Sequence, residues 1–315
     1  MAAAPNIRRL VGLLAILVAA VPRLAWSQPS FPVAPGPEPL RTGRLLGVVA
    51  GTAVLYALST YWLGNTWYTR RVPFHAFDDN GEWLQMDKAG HATTAYAISR
   101  GEYELFRWSG VSERTAVLTG SAVALLFQST IEYFDGHSAG WGFSRGDMAA
   151  NLAGTALFAG QQYGWGHQAV SLRYGFARSL YPPFRPELLG RSRVAQWLKD
   201  YNGQQYWLSV NLAAALPVGP AFPRWLNLAV GYSGSGMTGG RANPPLFGAD
   251  GQPLVFRRVR QFYLAPDVDL ARLALAGTTG RMLLGATQFL KLPAPLLEFN
   301  PRDGWRWHPL RAASD

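Results

Sequence analysis

The chain contains no cysteine, and only 15% of its 315 residues are charged. The first absence excludes disulfides, thiolate metal sites, thiol nucleophiles and a lipid anchor carried on an N-terminal Cys. The second leaves 49% hydrophobic residues, ample material for a large core, so disorder over most of the length is excluded. No internal repeat of fixed period is visible. Also missing are a recognition-helix pattern, a zinc signature and an RNP-like strand, so the net charge of +10 does not point to nucleic acid.

What is present is aromatic and unevenly basic. Twelve Trp, 13 Tyr and 16 Phe, many beside Arg, suit a membrane interface or a wet groove. From Gln168 onward there are 17 Lys and Arg against 8 Asp and Glu, whereas residues 1 to 167 carry 12 against 11. In apolar company such a basic part fits anionic lipid headgroups, or else a solvated surface covered by Arg stems.

The N-terminus has the grammar of export. Arg8 and Arg9 precede the apolar stretch Leu10 to Val21, and Ala25 and Ser27 stand before a cut near Gln28, so residues 1–27 read as a signal peptide. A Pro-rich linker follows over 28–43. Leu45 to Leu63 is 19 residues without a charge, about 28 Å of helix and a transmembrane candidate. Arg41 and Arg44 before it balance Arg70 and Arg71 after it, so orientation stays open.

Three more helices are expected, over Asp87 to Trp108, Thr115 to Phe134 and Ser144 to Tyr163. The last opens with a capping box, in which Ser144 accepts from the Asp147 amide and Asp147 reaches back to the Ser144 amide. Its small residues Ala149, Ala150, Ala153, Gly154, Ala156 and Gly160 allow close helix approach. After Gly164 short alternating segments take over. In "WLNLAVGY" Trp225, Asn227, Ala229 and Gly231 oppose Leu226, Leu228, Val230 and Tyr232 with period two. A short helix at Arg193 to Lys199 and a Gly/Pro-rich loop from Ser233 to Pro253 interrupt the strands. The expected fold is α+β: a membrane-associated bundle of about four helices over 44–164, then a β-rich basic region over 165–315.

Polar residues collect where the helices join. Asp87 and His91 share a face at i, i+4, as do Asp147 and Asn151, with Gly154 and Phe158 continuing that stripe. Glu132 and Asp135 end the third helix, and a nine-residue link can fold the fourth back against it. The expected cluster is Asp87, Lys88, His91, Glu132, Asp135, Arg145, Asp147 and Asn151, with Glu132 and Arg145 pairing near the turn. Three explanations stand side by side. One is a buried network that fixes helix register. Another is a metal site drawing on Asp87, His91, Glu132, Asp135, His137 and Asp147. The third is acid/base chemistry by His91, with Asp87, Glu132 and Asp147 as candidate partners. No spacing matches a defined metal or nucleophile motif, so no metal or cofactor is expected.

The segments "WLQMDKAGHATTAY", "IEYFDGHSAGWGFSRGDMAANLAG", "KDYNGQQYWLSVN", "WLNLAVGY" and "FYLAPDVDL" resemble the YfiM-like family of predicted periplasmic lipoproteins. The skeleton Asp87, Lys88, His91, Glu132, Arg145, Asp147, Asn151 and Gly154 is also similar to VanZ-like membrane proteins associated with glycopeptide resistance. The first resemblance implies an envelope address and little chemistry. The function expected is that of a membrane-associated binding or structural protein of the bacterial cell envelope, facing the periplasm, with membrane lipids or other envelope components as partners. The alternative is an envelope hydrolase or transferase acting on a lipid-linked substrate through His91 and neighbouring carboxylates.

Overall fold

The computed structural model describes residues 39–68, 70–273, 284 and 288–309. The expected signal peptide and the linker up to residue 38 lie outside them. The described residues form two compact units, one of helices within 39–166 and one built on strands within 167–273 and 290–309.

The helical unit contains α1 (Thr42–Thr66), α2 (Met86–Trp108), α3 (Glu113–Gly136) and α4 (Arg145–Trp165). Each of the last two has a serine at its start: Ser112 accepts from the Thr115 amide, and Ser144 from the Asp147 amide. Gly166, at φ 72°, ends α4 in the left-handed region, where a Cβ would be penalised. Helix α2 packs against both α3 and α4, around Tyr96, Phe106, Val117 and Phe158. Tyr96 and Tyr103 meet Phe158 edge to face.

Two glycines set the close approaches. A Cβ on Gly154 of α4 would collide with the Ala92 carbonyl of α2, and one on Gly120 of α3 would lie 2.5 Å from the Ser99 carbonyl oxygen. The other small residues of α4 do not share this role. Ala149, Ala153, Ala156 and Gly160 are exposed, because the buried stripe runs through Asp147, Asn151, Gly154 and Phe158.

Helix α1 faces the bundle with polar groups. Thr52 donates to the Glu102 carboxylate at 2.9 Å, Tyr56 shares a 2.7 Å hydrogen bond with Thr130, and Arg44 lies over the Trp108 ring. Its other face presents Leu46, Val49, Val54, Leu55, Leu58 and Trp62, all exposed.

The second unit is a six-stranded antiparallel sheet in the order β1-β2-β3-β6-β7-β8, with a small β4-β5 pair beside it. Its strands are β1 (Val170–Phe176), β2 (Gln204–Asn211), β3 (Leu226–Ser235), β6 (Val259–Val268), β7 (Leu296–Asn300) and β8 (Gly304–His308). Short helices α5 (Pro186–Leu189), α6 (Arg193–Lys199) and α7 (Leu212–Ala215) lie between strands. The stretch expected as a loop from Ser233 to Pro253 is shorter. Strand β3 continues to Ser235, paired with Val259, and β4 (Leu246–Phe247) pairs with β5 (Pro253–Leu254).

The alternation in β3 is as expected, but its buried side is the polar one. Asn227, Ala229, Gly231 and Ser233 are buried, while Leu228 is 41% exposed. Strand β6 repeats this, with Tyr263, Ala265 and Asp267 inside and Leu264 42% exposed. The inner face is held by polar bonds. Asp267 receives Arg173 at 3.1 Å and Ser209 at 2.6 Å, and Asn227 donates to Ser209 at 2.9 Å. Both Arg173 and Asp267 have fully buried side chains, so each needs the other.

Candidate functional site

Asp87, Lys88 and His91 are delivered by an unusual entry into α2. Trp83, Leu84 and Gln85 all have positive φ, between 44° and 62°, a conformation that costs each L residue roughly 1–2 kcal/mol. Such a turn persists only where surrounding structure fixes it, and here Gln85 donates to the Asn80 carbonyl at 2.7 Å. It places Asp87 in the first turn of α2, where the helix dipole favours a carboxylate. Asp147 holds the corresponding place in α4.

The Lys88 ammonium is the shared cation. It lies 2.5 Å from Asp79 Oδ1, 2.9 Å from Asp147 Oδ1 and 3.6 Å from Asp87 Oδ2. Burial opposes the charge of Lys88, but the bonds to Asp79 and Asp147 hold its pKa above the usual value. Burial also opposes ionisation of Asp79, but Lys88 and Ser144 hold its carboxyl below the usual range. Asp147 goes the other way. Burial first, then the charge of Asp87, push its carboxyl up to about 8.

Only half of the expected capping box forms. The Asp147 amide does donate to Ser144 Oγ, at 3.1 Å. The Ser144 amide, however, donates to Glu132 Oε2 at 2.9 Å, while the Ser144 hydroxyl donates to Asp79 at 2.6 Å. Glu132 reaches across from α3, which leaves the Asp147 carboxylate for Lys88.

His91 sits where three helices meet, and its hydrogen bonds can be assigned from one fixed point. The His91 backbone carbonyl can only accept, so the Gln128 atom 3.3 Å from it is the amide nitrogen. That nitrogen also donates to Asn151 at 2.8 Å, which makes the Asn151 atom its oxygen. His91 Nδ1 lies 3.0 Å from the same oxygen and is therefore the N–H donor. The second ring nitrogen, Nε2, then faces carboxylates, 3.9 Å from Asp87 Oδ1 and 3.6 Å from Glu132 Oε1. Burial alone would lower the His91 pKa, but Asp87, Asp147 and Glu132 raise it above the usual value.

Of the residues singled out in the sequence, the structure brings together Asp87, Lys88, His91, Glu132, Asp147 and Asn151. Asp135 stands at the edge, hydrogen-bonded to Tyr68. Arg145 is exposed and forms no ion pair with Glu132 among the described residues, because Glu132 is turned inward, accepting from the Ser144 amide and facing His91. His137 caps the end of α3, with Nδ1 bonded to the Tyr133 carbonyl at 2.9 Å and its ring against Phe74. Asp79 and Gln128 belong to the cluster and were missed. Gln128 had a signal, since it lies four residues before Glu132 on a run otherwise apolar. Asp79 lies in an irregular loop, where no periodicity marks it.

Residues 76–160 match the model of the family described as Predicted periplasmic lipoprotein (DUF2279). The match takes in the whole cluster and leaves the strand unit outside. No curated protein and no solved structure matches the chain. The family description agrees with the exported, periplasm-facing envelope location read from the N-terminal segment, although this chain has no cysteine to carry a lipid.

Proposed function

We propose that this is a membrane-anchored envelope protein with a binding or structural role, in which the polar cluster fixes the register of the helices. The observation that carries the reading is the chain from the His91 carbonyl through Gln128 and Asn151 to the His91 imidazole, which ties α2, α3 and α4 together. Apolar faces can slide past one another at little cost, whereas a buried amide out of register leaves donors and acceptors unpaired at about 1–3 kcal/mol. Membrane attachment is supported by α1, which turns its polar residues to the bundle and its apolar face outward. Its 25 residues would be about 37 Å long. Membrane lipids are thus the proposed partner.

The test is a double-mutant cycle. Gln128→Leu and Asn151→Leu, singly and together, should each lower the unfolding free energy of the detergent-solubilised chain. Because they share one bond, their coupling should be about 0.5–3 kcal/mol. Additive losses in folded proteins would show that the bridge does not hold the helices.

A further inference from the structure

We propose that Asp87, His91 and Asp147, with Glu132 beside them, hold a divalent transition-metal ion of the zinc or manganese class. The proposal rests on the reading above only in requiring the same helix register.

One oxygen or nitrogen from each of Asp87, His91 and Asp147 lies within 4.8 Å of the other two. The distances from His91 Nε2 to Asp87 and Glu132, 3.9 and 3.6 Å, are too long for hydrogen bonds, which run about 2.7–3.2 Å. They approach the spacing of two donors that each sit about 2.0–2.2 Å from one ion. A second observation is independent of that spacing. Glu132 is 1% exposed, and its Oε1, the oxygen aimed at His91 Nε2, has no hydrogen-bond partner. A buried carboxylate oxygen left bare in this way is costly unless something positive lies against it.

The surroundings match the chemistry of such an ion. His91 Nδ1 donates to Asn151, which orients Nε2 and its lone pair toward the carboxylates, as outer-shell partners of metal-bound histidines do. Four carboxyl groups, from Asp79, Asp87, Glu132 and Asp147, gather around Lys88 and His91, a surplus of acidic oxygens over basic nitrogens. An all-nitrogen-and-oxygen donor set suits zinc or manganese better than a soft ion. The side chain of Asp87 is 26% exposed, so the cluster reaches solvent on that side.

The experiment uses the full chain, purified in detergent through a histidine-free tag, stripped with a chelator and equilibrated with Zn2+ or Mn2+. Metal content and affinity are then measured by elemental analysis and calorimetry. About one ion per chain is expected. Affinity should fall more than tenfold in Asp87→Asn and His91→Gln, and about 10–100-fold in Asn151→Ala, which touches no ion. Circular dichroism of each variant separates lost binding from lost fold. Asp87→Asn is the decisive variant, because its side chain is partly solvated and its loss leaves the helix bridge intact. A wild-type chain that keeps no ion, or equal binding by a folded Asp87→Asn, overturns the proposal. A coupled Gln128/Asn151 cycle without ion binding would sink this inference alone and leave the register reading in place.

Discussion

At the scale of single residues, stability in the helical unit depends on who satisfies whom, more than on which residues are charged. Ser144 uses its hydroxyl twice, as acceptor from the Asp147 amide and donor to Asp79, and its own amide serves Glu132. Ser144→Ala removes the cap of α4 and a partner of Asp79, so a loss of about 1–2 kcal/mol is expected in denaturant unfolding. Arg145 is next in sequence but exposed, and Arg145→Ala should change stability by less than about 0.5 kcal/mol. A large loss at Arg145 would restore the Glu132–Arg145 pair that sequence spacing suggested. The i, i+4 pattern made Asp87, His91, Asp147 and Asn151 legible as partners. It could not say that a backbone amide would take Glu132, since main-chain donors leave no mark in side-chain chemistry.

At the scale of elements, helix existence was readable from periodicity and caps, and the ends of all four helices fall within a few residues of the expected segments. Which small residues make contacts was not readable, because one helix has several faces and only tertiary packing selects between them. Gly154 and Gly160 separate the two situations. Gly154→Ala would drive a Cβ into the Ala92 carbonyl and should destabilise by about 1–3 kcal/mol. A Cβ added at Gly160 would meet nothing within 4 Å, so Gly160→Ala should be neutral or stabilise by about 0.5–1 kcal/mol through helix propensity. Thermal unfolding of the two variants side by side checks this, and equal effects would contradict the assigned α2–α4 approach. In the strands, period two revealed the partition of β3 but not its sense: the polar side is the buried one.

At the scale of the whole molecule, both units carry exposed apolar side chains. Exposed Leu and Trp on α1 and exposed Leu228 and Leu264 on the sheet are the groups concerned. Alkaline carbonate should therefore leave the protein in the membrane pellet, and a chain lacking residues 42–66 should show whether α1 is the anchor. Quantitative release of the intact chain would remove membrane lipids as its partner. The absence of cysteine, which at first only excluded chemistry, makes the register claim directly measurable, since introduced thiols have no competitors. Ala122→Cys and Ala156→Cys place spin labels on exposed positions of α3 and α4. Pulsed dipolar spectroscopy should give one narrow distance distribution in the otherwise native chain. With Gln128→Leu and Asn151→Leu added, it should broaden or split, and an unchanged narrow distribution in that folded protein would contradict the claim that the polar cluster sets the helix register.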